Sequence, residues 1–288
     1  MRDFDHGPAL LFCPADRPDR YAKALERADS VILDLEDAVA PAGRVSAREA
    51  MAHVPLEPSR VIVRVNPAGS ADFADDLDAV IRCGYDTVML AKTSSAADVH
   101  AVESHDASLT VVALCESAAG IVAAGEIAAA SSTVALMWGA EDLIASLGGT
   151  SSRFSAGSGG AGLGGADSTR AGKYRAVAEH ARSVVLLAAG AHGKAAIDTV
   201  HLDIADLDGL RVEAEDAVAS GFAATACIHP TQAQIIRDAY RPDAGELARA
   251  RALLSEAANH SGVFRYGDAM VDGPVLRHAE ALVRRAGA

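Results

Sequence analysis

Short apolar runs rich in β-branched residues recur along the chain, and each is followed by a stretch with helical periodicity. They occupy positions 9–13, 31–35, 61–65, 87–90, 110–114, 134–138, 196–200 and 225–228. Continuous apolar runs of this length suit strands buried on both faces, and alternation with helices makes the sheet parallel. Successive starts lie 22, 30, 26, 23, 24, 62 and 29 residues apart, so all but one interval has the size of a single βα unit. Eight units predict an α/β fold of the closed (β/α)8 TIM-barrel type, which typically takes about 250 residues. A doubly wound open sheet is the competing arrangement. Eight units exceed its usual count, and no dinucleotide fingerprint follows the first strand.

The one long interval contains the low-complexity stretch 155–165 (SAGSGGAGLGG), with six glycines in eleven positions. Gly157, Gly159 and Gly162 spell G-x-G-x-x-G, but no strand directly precedes them and no Lys-Ser or Lys-Thr follows. The stretch therefore reads as a flexible insertion and not as a nucleotide site, with a lid over the barrel mouth as the intermediate reading. Past the eighth strand, 245–258 reads as a helix, 264–272 as an irregular segment and 274–286 as a final helix with Pro near its start. The division expected is a catalytic barrel over 1–242 and a C-terminal lid or oligomerisation extension over 243–288. That extension is too short for a domain and is expected to fold over the barrel or a neighbouring subunit.

The composition narrows the partners. Of 288 residues, 50% are hydrophobic and 23% charged, an ordinary globular balance. With 26 basic against 39 acidic side chains the net charge is −13, which argues against a nucleic-acid partner. Aromatics at 4% argue against a platform for stacking single strands. No uncharged apolar run approaches the roughly 18–20 residues of a bilayer span, and the N-terminal apolar run stops at Pro14. Cys13, Cys83, Cys115 and Cys227 are scattered without Cys-x-x-Cys spacing and read as small core residues in a reducing compartment. A soluble cytoplasmic protein with no membrane partner is expected.

In a parallel barrel the reactive face lies at the C-terminal ends of the strands. The residues that end the runs are Asp34, Glu36 and Asp37; Arg64 and Asn66; Lys92; Glu116; Glu141 and Asp142; His201 and Asp203; and His229. Carboxylates dominate, and several around one mouth repel each other unless a cation sits among them. A hard divalent metal such as Mg²⁺, which takes one or two carboxylates plus water and substrate oxygens, is the economical solution. Zinc is disfavoured because no two histidines share ligand spacing such as H-E-x-x-H. A lone acidic residue at a strand end can equally cap a helix or face solvent. His229 serves either structure or substrate, and His201 and Asp203 read as structural. Arg64, a cation inside an apolar strand, needs a buried carboxylate or an anionic ligand.

Several stretches carry more than spacing does: LLFCPADRPDRYAKA (10–24), VILDLEDAVAP (31–41), AR (47–48), VIVRVN (61–66), ALCESAAGI (113–121), MWGAEDLIASLG (137–148), AIDTVHLDIAD (196–206), CIHPTQ (227–232) and MVDGPVLRHAE (270–280). In this order, nearly end to end, they resemble the citrate lyase β-subunit-like group of the HpcH/HpaI aldolase family, which includes malyl-CoA and citramalyl-CoA lyases. The resemblance implies a TIM barrel, usually a homotrimer, with Mg²⁺-dependent carbon–carbon lyase chemistry on CoA thioesters. It implies Glu116 and Asp142 as metal ligands, Arg64 as the substrate-binding and enolate-stabilising arginine, and Glu36 and Asp37 as the holders of metal-bound water. Asp272 corresponds to the lid aspartate that carries a proton, often presented across a subunit boundary, and Arg17, Arg20 and Lys23 to the CoA-facing entry. Glu36 acting through water is the expected acceptor of the hydroxyl proton. The Gly-rich stretch is longer than the group's pattern and bears on lid behaviour and substrate size. Two other readings stand beside the free lyase: a subunit of a citrate lyase complex acting on an acyl carrier protein, and a non-catalytic trimer that binds CoA esters.

Overall fold

The computed structural model describes residues 4–154 and 171–287. The Gly-rich stretch 155–165 lies outside them. Eight parallel strands close into a barrel in chain order: β1 (Ala9–Pro14), β2 (Ser30–Asp34), β3 (Val61–Val65), β4 (Thr87–Leu90), β5 (Thr110–Cys115), β6 (Thr133–Trp138), β7 (Ala195–Asp198) and β8 (Ala224–Cys227). The ring is closed by β8 on β1, where Ala9, Leu10 and Leu11 lie opposite Thr225, Ala226 and Cys227. The eight apolar runs thus match the eight strands to within two residues at each end.

Alternation along each strand separates two cores. Leu10, Ile32, Ile62, Met89, Val112, Leu114, Met137 and Ile197 point inward and fill the barrel. Their neighbours Leu11, Val31, Leu33, Val63, Val88, Val111 and Leu136 point outward and pack under the helices. Both faces are buried, which explains why the strands read as continuous apolar runs and not as an alternating pattern. Each fully buried Leu, Ile or Val contributes about 1.5–3 kcal/mol.

The outer layer includes α1 (Pro18–Arg27), α2 (Arg44–His53), α3 (Phe73–Arg82), α4 (Ala96–His105), the short α5 (Ala118–Val122) and α6 (Ala124–Ala129), α7 (Ala140–Ser146), α8 (Ala176–Ala191), α9 (Leu207–Ser220) and α10 (Pro230–Tyr240). Local chemistry sets several starts. Ser95 and Asp98 form a capping box on α4, and His229 with Gln232 forms one on α10 behind Pro230. Helix α9 starts at the Asp206 cap and stops at Gly221, whose φ of 109° a side chain would resist.

After the barrel come α11 (Ala244–Ala257) and α12 (Gly273–Ala286), which pack on each other. The segment between them differs from the irregular conformation expected. It forms an antiparallel hairpin of β9 (Phe264–Tyr266) and β10 (Ala269–Val271), with Ala269 opposite Tyr266 and Val271 opposite Phe264. The pairing was hidden because each strand has only three residues, and their connecting turn relies on Gly267 at a φ of 59°. Among the described residues, no helix is long and apolar enough to cross a membrane.

Candidate active site at the barrel mouth

The inward parity that fills the barrel continues upward into its mouth. Two residues beyond Ile32, Ile62, Leu114 and Met137 stand Asp34, Arg64, Glu116 and Gly139. Register then pairs them across strands, with Asp34 directly opposite Arg64. Asp34 takes Arg64 as a bidentate partner, accepting from Nε at 2.7 Å and from Nη2 at 2.6 Å. The Arg64 Nη1 lies 3.2 Å from Glu36, and the guanidinium rests 5.0 Å over the ring of Phe12. The buried carboxylate that an arginine inside an apolar strand demands is therefore Asp34, which the sequence reading left unassigned. Burial opposes the Arg64 charge, but the Asp34 bond outweighs it and holds the guanidinium charged. Its fork is fixed on Asp34, and the residue forms part of the cavity lining.

Across the mouth, Glu116 follows β5 and is 3% exposed. Asp142 sits in the first turn of α7, after Gly139. Burial and the nearby Asp142 charge push the Glu116 carboxyl up to about 7. A buried carboxyl beside a like charge is held toward its neutral form, and a cation reverses that. Among the described residues no three His, Cys, Asp or Glu side chains form a metal cluster. A two-carboxylate, all-oxygen donor set instead suits Mg²⁺, which completes its shell with water and substrate. The cradle is tailored: a Cβ on Gly139 would come within 2.8 Å of Glu116 Oε2.

A cavity of about 810 Å³ opens above these groups. Arg64, Glu116, Asp142, Asp37, Arg20 and Lys23 all line it, so six residues singled out from the sequence converge on one space. His229 and Glu141 also reach it. Glu36 is 4% exposed and lies behind the wall, held by Arg64 and by a short bond from Lys92. Burial raises its pKa against the pull of Lys92 and Arg64.

Other residues fall elsewhere. Arg17 precedes α1 and turns onto Asp19, with Nε to Oδ1 at 3.1 Å, and is not among the residues lining the cavity. His201 is structural, bonded through Nδ1 to Glu213 at 2.8 Å, and Asp203 closes a local turn by accepting from Ala205 N–H at 3.0 Å. Asp272 caps α12, accepting from Val275 N–H at 3.3 Å, and is not among the residues lining the cavity.

Sequence reasoning did not single out Arg153, which lines the cavity. It donates to Glu213, stacks 3.7 Å over Tyr174 and faces it in an isolated antiparallel bridge. Nor did it single out the indole of Trp138, which donates to buried Asp198 at 2.7 Å and braces the end of β6 beside Gly139. Neither contact is local, so periodicity carried no sign of them.

The model of the HpcH/HpaI aldolase/citrate lyase family matches residues 9–230. The chain belongs to that family. A citrate lyase subunit beta-like protein of Mycobacterium tuberculosis is 53% identical over 281 residues, covering 98% of this chain and 96% of the relative. A crystal structure of CitE from the same organism, in complex with magnesium, acetoacetate and coenzyme A, superposes with a TM-score of 0.85 at 52% identity, covering 98% and 99% of the two chains. A (3S)-malyl-CoA thioesterase of Cereibacter sphaeroides is 32% identical, covering 96% of this chain and 92% of the relative. Membership of the HpcH/HpaI family fits the barrel, the acidic mouth and the cationic rim described above.

Proposed function

We propose that the protein is a Mg²⁺-dependent carbon–carbon lyase that cleaves or forms a 3-hydroxyacyl-CoA thioester. The observation that carries this reading is the buried Glu116 carboxyl with the Asp142 charge near it, in the lining of one cavity that also takes in Arg64, Arg20 and Lys23. A CoA thioester brings the matching chemistry: an oxygen-rich acyl end for the acidic floor and phosphates for the cations. The M. tuberculosis structure that holds magnesium and coenzyme A supports the same ligand classes here.

Glu116 and Asp142 would hold the metal. When bound, Mg²⁺ supplies Lewis acidity and a template for the substrate's hydroxyl or keto oxygen. The rest is work for the chain's own groups. Arg64, charged and clamped by Asp34, stabilises the oxygen of the thioester enolate that forms as the carbon–carbon bond breaks. Glu36, through a water placed with Asp37, takes the hydroxyl proton; burial raises its pKa against the pull of Lys92 and Arg64. Asp272, delivered by the 243–288 extension from a neighbouring copy in a homotrimer, exchanges the proton at the acyl α-carbon. Arg20 and Lys23 hold CoA phosphates, with Arg17 as an outer contact.

The test is a panel of malyl-, citramalyl-, 3-hydroxy-3-methylglutaryl- and citryl-CoA, assayed with and without Mg²⁺. Lyase action yields a carbonyl product and an acyl-CoA without free thiol. Release of thiol from the thioester favours a second reading, hydrolysis, which the C. sphaeroides thioesterase relative supports. Activity confined to a citryl-acyl carrier protein makes the chain a subunit of a citrate lyase complex. Binding of CoA esters with no turnover of any of them leaves the non-catalytic trimer.

A further inference from the structure

Among the described residues, Lys92 alone, glycines aside, has a positive φ, at 52°. It stands just past β4, where a left-handed backbone is strained for any residue with a Cβ, and such strain persists only where the surroundings enforce it. They do so here from both sides. Ala91 N–H is bonded to Val65 O of β3 at 3.3 Å, and Thr93 N–H to Leu114 O of β5 at 3.0 Å. Thr93 Oγ1 donates to Leu90 O at 2.7 Å, and Gly120 presses so closely on Thr93 that a Cβ there would lie 2.2 Å from its carbonyl oxygen.

Between these two anchors the kink turns Lys92 N–H onto Glu116 Oε1 at 3.0 Å. The side chain runs the other way, with Nζ bonded to Glu36 and 3.4 Å from both oxygens of Asp37. One strained residue therefore touches three acidic groups of the mouth, Glu116, Glu36 and Asp37. It gives a neutral donor to one carboxylate and a full positive charge to two others.

We propose that Lys92 is a positioning residue whose ammonium occupies Glu36 and Asp37 and so leaves Glu116 and Asp142 as the pair that takes the divalent cation. The inference rests on the metal assignment made under the proposed function. An acidic mouth with five or more carboxylates offers a cation several positions. A built-in ammonium at one end removes the competing pair and repels a second ion. The bond from its amide orients Glu116 toward the place that remains.

The sign of the effect separates this role from a merely structural one. A residue that only supports the fold loosens the metal when it is lost. Removing an ammonium near a divalent ion instead lifts a repulsion and frees two carboxylates, so the metal should bind more tightly, by about tenfold. Calorimetric Mg²⁺ titration of the full chain as Lys92→Met, Lys92→Gly and Lys92→Arg reads this directly. Met and Gly should each bind Mg²⁺ about tenfold more tightly than the parent or take up a second ion, and Arg should restore the parent's behaviour. Lys92→Gly keeps the amide and relieves the left-handed strain, so it carries the test if Lys92→Met does not fold. Unchanged or weaker Mg²⁺ binding in the folded variants overturns the proposal while leaving the metal site standing. No Mg²⁺ binding by the parent overturns both.

Discussion

Gly139 lies so close against Glu116 that a Cβ on residue 139 would come 2.8 Å from both Cβ and Oε2 of the glutamate. Such spacing is not met by real side chains without movement, and the group that must move is the proposed metal ligand. Gly139→Ala should therefore weaken Mg²⁺ binding by at least about tenfold, while overpacking costs only about 1–3 kcal/mol of stability. Calorimetric Mg²⁺ titration beside a thermal melt reads both quantities. Parent-like affinity would show that Glu116 does not hold the ion.

The Glu116 carboxyl, pushed up to about 7, ties stability and metal binding to pH. The unfolded chain loses this proton near pH 4.5 and the folded one near 7, so the folded state binds more protons in between. Stability of the metal-free protein should thus fall as pH rises through that window, with no such cost below it. At pH 8 the penalty is about 3 kcal/mol, and Glu116→Gln should recover most of it while changing nothing at pH 4. Melts of the two proteins at both pH values check the sign. Because Mg²⁺ competes with that proton, its affinity should climb about tenfold per pH unit below 7 and level off above.

Arg64 is held by a geometry that Lys cannot copy. Arg64→Lys keeps the charge but loses the fork onto Asp34 and the stacking on Phe12. Turnover should drop by about 10²–10³ with Mg²⁺ affinity near that of the parent. Steady-state kinetics at saturating metal decide it, and a parent-like kcat would remove Arg64 from the reaction.

Asp272→Asn preserves the acceptor that caps α12 and removes only the titratable proton. It should retain the melting temperature, Mg²⁺ binding and CoA-ester affinity, yet lose most turnover. Asp272→Ala should in addition cost about 1 kcal/mol of stability. Mixing inactive Asp272→Asn chains with inactive Glu116→Ala chains should restore some activity through composite sites. Recovery of nothing despite proven subunit exchange would place Asp272 within its own subunit's site.

Much of this arrangement is legible in the sequence. Eight apolar runs at near-regular spacing specify the barrel, the C-terminal-face rule puts Arg64, Glu116 and Asp142 among a dozen strand-end residues, and the family resemblance picks out these three, all of which reach one cavity. The partner of Arg64 was not legible, because Asp34 meets it through strand register, which a one-residue slip would undo. Lys92 looked like one more charge at a strand end; its importance lies in a backbone angle that no propensity announces. Gly139 was passed over because its lack of a side chain matters only beside Glu116.

The described residues on either side of 155–170 are zipped into a stem. Arg153 bridges Tyr174, Phe154 N–H reaches Lys173 O at 2.9 Å, and Gly172 N–H reaches Phe154 O at 2.9 Å. Ser152 ties the stem to Glu141, next to Asp142, and Arg153 ties it to Glu213. The stem is thus a brace between two sides of the barrel: a change at Ser152 would be felt beside Asp142 and one at Arg153 on α9, although neither residue belongs to a barrel strand.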